Sequence, residues 1–330
     1  MEKTAKVRNK RQFMKGYFVV FLVLVALFVF MTIVSRNFLT YDNLYNLARA
    51  TAVYGIVALA MTFVIVTGGI DLSVGTNLGL AGMMFTLLIE QAGWAVAPAM
   101  ICAVITCGCV GAINGVLIHD GKLPPFIATL GMKTITRAVI LLISGGKNIS
   151  IHNAGFNNFA TLTIGIPGVD AYGNETTLGI PVMVLVWVIL IVLSFIIFRY
   201  TTFGRNVFAC GSNVNAARLS GISVRKTIYG AFIVSAVFCA VGGLLSTSRL
   251  RSGIPTLGDG YEEDAIAAAV IGGASMSGGE GYIGGTVVGS LLIATIKNAG
   301  TLLGFDTNVT KVIIGALIIV AVLIDRFKKH

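Results

Sequence analysis

Apolar residues run along this chain in long blocks, parted by short polar stretches that hold most of the charge. Read with a window of about 20 residues, the length a helix needs to cross roughly 30 Å of hydrocarbon, the blocks predict ten membrane spans. They lie near 17–35, 48–67, 74–90, 95–118, 125–143, 180–198, 228–246, 264–279, 281–297 and 309–324. The eighth holds Ile271-Gly272-Gly273-Ala274-Ser275-Met276-Ser277-Gly278-Gly279, a short, glycine-broken run suited to a re-entrant or kinked segment. The expected architecture is an all-α, polytopic helix bundle in which residues 1–330 form one transmembrane domain. No stretch is left for a separate soluble domain.

Composition agrees with the pattern. Hydrophobic residues make up 56% of the chain, charged ones only 12%, and the mean hydropathy is +0.89. A soluble domain carries about 25% charged residues, so this chain could not cover its apolar surface in water. The formal charge of +10 does not point to nucleic acid, because the basic residues are scattered as short clusters between apolar runs. Membrane orientation accounts for them: lysine and arginine in short loops stay on the cytoplasmic side. The clusters are Lys3, Lys6, Arg8, Lys10, Arg11 and Lys15, then Arg199, Arg205, Arg218, Arg225 and Lys226, then Arg326, Lys328 and Lys329. Ten spans with both termini inside satisfy all three. The opposite side then receives the segment from Gly145 to Leu178 and the acidic Asp259-Gly260-Tyr261-Glu262-Glu263-Asp264, with Arg249 and Arg251 as exceptions. The basic start resembles a signal peptide, but its apolar run from Tyr17 to Val34 is too long and ends without small residues for cleavage, so it reads as an uncleaved first span.

Within the spans, small residues at intervals of four mark faces where backbones approach closely. Gly281, Gly285 and Gly289 form one stripe, Gly111 with Gly115 and Gly75 with Gly79 form others. Tight packing explains them, and helices that rock against each other would need the same faces. The segments Gly68 to Gly75 and Gly272 to Gly279 share the pattern G-G-x-x-x-S-x-G, and helix breaks at corresponding places in two halves are a feature of transporters. The cysteines, Cys102, Cys107, Cys109, Cys210 and Cys239, lie in or beside apolar segments without metal-ligand spacing and read as small packing residues.

An intramembrane charge costs about 2.5–3.5 kcal/mol at a helix centre, so each one asks for a reason. The clear cases are Lys133 and Arg137, one turn apart, and Lys311 near the outer end of the tenth span. Asp71 sits at the glycine break between spans two and three, where capping of span three by its carboxylate is the simplest role. Asn77, Asn114 and Asn298 serve either a hydrated pathway or hydrogen bonds between helices. So few ionisable groups argue against a proton- or sodium-driven carrier, the main alternative reading.

Catalytic chemistry has no visible seat, and no metal site is expected. Gly221-Ile222-Ser223-Val224-Arg225-Lys226-Thr227 lacks the second glycine of a phosphate-binding loop and follows no strand. His119 and His152 have no partners at metal-ligand spacing, and a membrane enzyme acting on lipid-linked sugar would need paired carboxylates or a metal cluster. Only Glu262, Glu263 and Asp264 cluster, and they read as a solvated loop and helix cap. The other informative region is the basic stretch 199–227. Its middle, Asn213-Val214-Asn215-Ala216-Ala217-Arg218-Leu219-Ser220-Gly221-Ile222, predicts a short helix with Asn213 as N-cap and Gly221 as its stop. Such a helix suits either a groove on another protein or the membrane surface.

Four strings now combine: T-G-G-I-D-L-S-V-G from Thr67 to Gly75, P-P-F-I-A-T-L-G from Pro124 to Gly131, F-G-R-N and N-A-A-R-L-S-G-I within 199–222, and D-A-I-A-A-A-V-I-G-G from Asp264 to Gly273. In this order and spacing the chain resembles the permease subunits of ribose, xylose and galactoside-type ABC sugar importers of the bacterial inner membrane, over nearly its whole length. The family also includes branched-chain amino acid and nucleoside permeases, and an ABC permease for one of those solutes is the alternative, but the I-D-L-S-V-G and P-F-I-A-T-L-G strings resemble the monosaccharide branch. The resemblance implies a pair of permease subunits, identical or homologous, with a separate ATPase that carries ATP and Mg on the cytoplasmic side and an extracytoplasmic sugar-binding protein outside. No cofactor on this chain and no nucleic-acid partner is expected. It also implies that the stretch 199–227 supplies the coupling helix, with Asn213, Asn215, Ala216, Ala217, Arg218, Leu219, Ser220 and Gly221 contacting the ATPase. Segments 145–178 and 247–263 become candidates for docking the binding protein. Asn77, Asn114, Phe126 and Thr129 are candidates for the pathway, and Asp71, Ser73, Asp264, Gly272 and Gly273 for structural or gating roles. The implied mechanism is alternating access, driven by ATP binding on the partner. Ribose is the first expected substrate, with other pentoses, galactosides and furanoses behind it.

Overall fold

The computed structural model describes residue 18 and residues 20–169 and 175–327. The N-terminal basic cluster and Lys328 and Lys329 lie outside the described residues. Long helices account for most of what remains: α1 (Val20–Val34), α2 (Tyr41–Val66), α3 (Val74–Glu90), α4 (Val96–His119), α5 (Pro125–Ser144), α7 (Val182–Tyr200), α10 (Val224–Leu250), α12 (Ile283–Leu302) and α13 (Thr307–Phe327). Six of them, α2, α4, α5, α7, α10 and α12, are long and apolar enough to cross a membrane unaided. Their ends follow local chemistry. Thr40 accepts the Asn43 N–H to cap α2, Pro125 opens α5 where its missing N–H costs nothing, and Gly145 closes α5 in the left-handed region at φ 60°.

Burial sorts the helices into a centre and a ring. Every position of α2 from Gly55 to Val66 and of α3 from Val74 to Met83 is buried, although both are apolar all round. In contrast α4, α5 and α7 show Ile101, Ile105, Leu142 and Ile189 to the outside, the surface expected of helices bathed in lipid. The centre is held by aromatic packing, with Phe63 of α2 4.5 Å from Phe198 of α7 and 5.7 Å from Phe238 of α10, ring centroid to centroid. The glycine faces are contact faces. A Cβ on Gly111 would stand 2.5 Å from the Phe232 carbonyl of α10, and one on Gly289 2.0 Å from the Ala268 carbonyl of α11 (Tyr261–Ile271).

The eighth crossing departs from the expectation. The helix is Tyr261–Ile271 rather than 264–279, and the glycine run Gly272 to Gly279 is not helical. The stretch before it is non-helical chain with turn bonds, from the Leu257 N–H to the Ile254 carbonyl and from the Asp259 N–H to the Thr256 carbonyl. Gly253 lies against Thr86, the Leu257 carbonyl against Gly79 and the Gly258 carbonyl against Gly75, so residues 253–258 run antiparallel down α3 from near its end to its first turn. Glycine is required here because any Cβ on Gly75 would stand 2.2 Å from the Gly258 carbonyl.

Strands add small corrections to an otherwise helical fold. Ile149–Ser150 (β1) pairs with Ser252–Gly253 (β4), and Thr163–Val169 (β2) pairs antiparallel with Glu175–Pro181 (β3), Thr163 opposite Pro181. This hairpin and the short α6 (Ala154–Phe159) fill the segment between α5 and α7. Tyr45 of α2 ties the hairpin down through its hydroxyl, 2.6 Å from Thr163 Oγ1. At the opposite end, α8 (Thr202–Ser212) and α9 (Val214–Leu219) join α7 to α10.

Candidate functional site

The predicted short helix is present as α9. Asn213 lies outside helical geometry at φ −162° and its side chain accepts the Ala216 N–H at 2.9 Å. Gly221, at φ 79°, turns the chain out, with the Ile222 N–H donating to the Ala217 carbonyl. Of the residues singled out there, only Ala217 is buried, against Cys210 and Val224. Asn215, Ala216, Arg218, Ser220 and Gly221 are exposed, and Leu219 is 90% exposed. Leu219 thus stands at the end of a capped helix as an apolar side chain left uncovered by the described residues.

The preceding helix carries α9 onto the bundle. A Cβ on Gly211, near the end of α8, would stand 1.8 Å from the Val66 carbonyl and 2.5 Å from the Gly279 nitrogen. The Gly279 N–H itself donates to the Val66 carbonyl at 2.9 Å. Thus the two G-G-x-x-x-S-x-G segments meet each other and α8 at one junction. Gly68 (φ 84°), Gly273 (φ 94°) and Gly278 (φ 78°) supply the left-handed turns that breaks of this kind need.

Several candidates for the pathway and for gating belong to one buried network. Ser73 is its hub: its hydroxyl donates to Asp71 Oδ1 at 2.6 Å and accepts from Asn114 at 3.0 Å and Asn77 at 3.4 Å. Asp71 also takes the Ser73 N–H at 2.9 Å and the Ser235 hydroxyl of α10 at 3.3 Å. All five side chains are fully buried, and they join α3, α4 and α10. The Oδ1 atoms of Asn77 and Asn114 lack hydrogen-bond partners. Asp71 does not cap α3 in the expected way, because the N-cap position is Ser73 and the carboxylate reaches only that residue's N–H. Thr129 joins the edge of this group by accepting the Leu72 N–H at 3.1 Å, whereas Phe126 lies half-exposed at the start of α5 and takes no part. Ser235 shows no signal in the sequence beyond a lone serine in an apolar run.

The acidic cluster is not a solvated loop. Glu262 and Asp264 are 2% and 6% exposed, and each meets a lysine from another helix, Lys133 of α5 and Lys297 of α12. Arg137 serves the non-helical stretch before α11, donating to the carbonyls of Pro255 and Leu257 and to Asp259. Such carbonyls have no helical partner, and backbone of this kind persists in a membrane only where protein satisfies it. Lys297 also lies 4.5 Å over the Tyr54 ring. Lys297 escapes the set of intramembrane charges read from sequence, since its predicted span stops on it while α12 continues to Leu302. Lys311 is exposed. Where α4 ends, the Tyr229 hydroxyl, the His119 ring and Arg225 surround Asp120 and hold its carboxyl below the usual range. These contacts tie α4 to the first turns of α10, just after α9.

Comparison with known proteins follows the same outline. A family model described as branched-chain amino acid transport system, permease component, matches residues 43–322. The ribose import permease protein RbsC of Bacillus subtilis is 40% identical over 308 residues, covering 93% of this chain and 92% of that protein. The D-allose transport system permease protein AlsC of Escherichia coli is 36% identical, over 94% and 91%. The xylose transport system permease protein XylH of Haemophilus influenzae is 32% identical, over 94% and 96%. No solved structure matches the chain.

Proposed function

This chain belongs to the family of branched-chain amino acid transport system permease components, and from that premise we propose that it forms the membrane pathway of an ATP-driven monosaccharide importer. The observation that carries the reading is similarity along nearly its whole length to permeases named for ribose, allose and xylose. D-ribose is the first substrate to test. The chain is a multi-pass protein of the inner membrane, with ten crossings if α1, α3, α13 and the half-helical eighth are counted with the six longest helices. Both termini and α8–α9 then face the cytoplasm, and the β2–β3 hairpin faces outward to meet the sugar-binding protein. Residues 1–330 act as a single permease domain that works as a homodimer.

In this reading α9 seats in a groove of a separate ATPase, which holds ATP and Mg. Leu219 supplies the apolar contact, and Arg218 adds a cation where the helix dipole is negative. Nucleotide moves the helices only if it prefers one arrangement of the ATPase pair over the other. The displacement passes from α9 through α8 to the glycine junction at Val66, Gly211 and Gly279. There two helix breaks touch, so both halves of the bundle receive one push. Asp71, Ser73, Asn77 and Asn114 act as the pin joining α3, α4 and α10 during that motion. Gly272 and Gly285 let α11 slide on α12 with backbones in contact. Glu262 and Asp264 are each neutralised by a lysine, which favours an externally powered gate over an ion-coupled carrier.

The test is uptake by proteoliposomes holding the permease, its ATPase and the binding protein. Uptake of D-ribose that requires ATP is expected, and accumulation driven by an ion gradient without ATP would reject the reading. Arg218→Glu is expected to cut sugar-stimulated ATP hydrolysis at least several-fold while membrane insertion stays normal. Unchanged stimulation in that variant would exclude α9 as the coupling element.

A further inference from the structure

Between α2, α10 and the start of α11 lies a cleft of about 100 Å³, lined among others by Ala50, Tyr54, Ser246, Arg249, Leu257 and Tyr261. Tyr54 and Tyr261 sit side by side, ring centroids 5.1 Å apart. Behind them the Lys297–Asp264 pair closes the bundle, with Lys297 over the Tyr54 ring. One guanidinium group, that of Arg249, lines the cleft; Arg49, next to Ala50 in the chain, does not line it. Among the described residues neither arginine meets a carboxylate within ion-pair distance. Arg49 stacks on Tyr45, and its Nε is buried without a partner. The Arg249 cation thus stands beside an apolar-and-aromatic cleft without a carboxylate acceptor, and burial of an unpaired donor is costly.

We propose that this cleft is a monosaccharide subsite in the outer half of the pathway, a site distinct from the buried Ser73 network. The sugar lies with an apolar ring face against the tyrosine rings, and its hydroxyl oxygens accept from Arg249. The volume is well under the roughly 300–1,000 Å³ of drug-sized pockets, which limits the occupant to one small ring. The Arg249 cation disfavours a cationic solute, and its N–H donors match the hydroxyl oxygens of a neutral sugar, with an inorganic anion as the competing occupant. Tyr54 and Tyr261 form the floor, so onward movement requires these rings to part. This assignment rests on the reading of the chain as a sugar permease.

The test places a cysteine in the cleft wall, Ala50→Cys, in the full-length permease assembled with its ATPase in membranes. Labelling by a membrane-impermeant thiol reagent is measured against the unaltered chain, whose free cysteines give the background. D-ribose, D-allose or D-xylose is expected to slow labelling in a concentration-dependent way, with no binding protein present. Adding Arg249→Gln is expected to raise the half-protecting concentration about tenfold or more, as loss of a charged hydrogen bond would, without changing the unprotected rate. Leu250→Cys at the exposed rim serves if Ala50→Cys does not insert. Protection by none of the three sugars, or by inorganic phosphate alone, would overturn the subsite. Failure of the unaltered complex to import any sugar would instead tell against the importer reading, because protection is scored without reference to uptake.

Discussion

Asp264→Ala is expected to destabilise the folded permease by about 1–3 kcal/mol, because it leaves Lys297, whose side chain is only 30% exposed, without its counter-charge. Asp264 is 6% exposed, and Lys297 reaches it from α12. Its one other neighbour of the right kind is the Tyr54 ring, and a cation–π contact is worth only about 0.5–2 kcal/mol. Removing both charges should act differently. The double variant Asp264→Leu with Lys297→Met keeps the volume and is expected to recover most of the loss, since buried ion pairs replaced by apolar groups are often neutral. Thermal unfolding of the purified permease in detergent measures both. If Asp264→Ala melts with the unaltered protein, the pair does not hold α11 to α12.

Gly211→Val is expected to abolish ATP-driven uptake. Its side chain would have to occupy the space of the Val66 carbonyl on one side and of the Gly279 nitrogen on the other, at 1.8 and 2.5 Å from the first carbon alone. Both obstacles are backbone, so no rotamer change relieves the clash. Overpacking of a tight contact costs typically 1–3 kcal/mol, and here the cheapest response is for α8 to lift from the bundle. Lifting α8 carries α9 with it and would break the proposed route from an ATPase to the two helix breaks. The discriminating measurement pairs uptake with protease sensitivity of the segment 201–223. Normal uptake in Gly211→Val would remove the junction from the mechanism. A correctly inserted variant with lost uptake and a newly cleavable α8 would support it.

The long helices are legible in the sequence because a membrane demands apolar blocks of fixed length, and α3, α4 and α5 agree with the predicted spans to within about two residues. What escapes is whatever does not pay in hydropathy. The first turns of α2, with Asp42, Asn43 and Asn46, are helical but polar, so the predicted span starts late. The helix α8 is short, mixed in character and parallel to no apolar run, and the β2–β3 hairpin is held by backbone pairing that carries no window-length signature. The acidic run Asp259 to Asp264 looks like a solvated loop because its partners, Lys133, Arg137 and Lys297, are remote in sequence and close only in the fold. The site divides the same way. Asn213 and Gly221 of α9 act through local chemistry and can be read directly. Ser73 is recoverable as a hub only when Asn77 and Asn114 are brought to it, and Ser235 to its partner Asp71, from three helices.

The stretch 253–258 beside α3 has a mechanical meaning. A helix holds its length by a ladder of internal bonds and transmits force as a rod, whereas this stretch has only isolated turn bonds, Leu257 N–H to the Ile254 carbonyl and Asp259 N–H to the Thr256 carbonyl, with Arg137 adding side-chain bonds to the carbonyls of Pro255 and Leu257. Two rods, α10 and α11, are thus joined by a non-helical segment. In the proposed alternating-access cycle, a change of spacing between them would be taken up in this segment rather than in either helix.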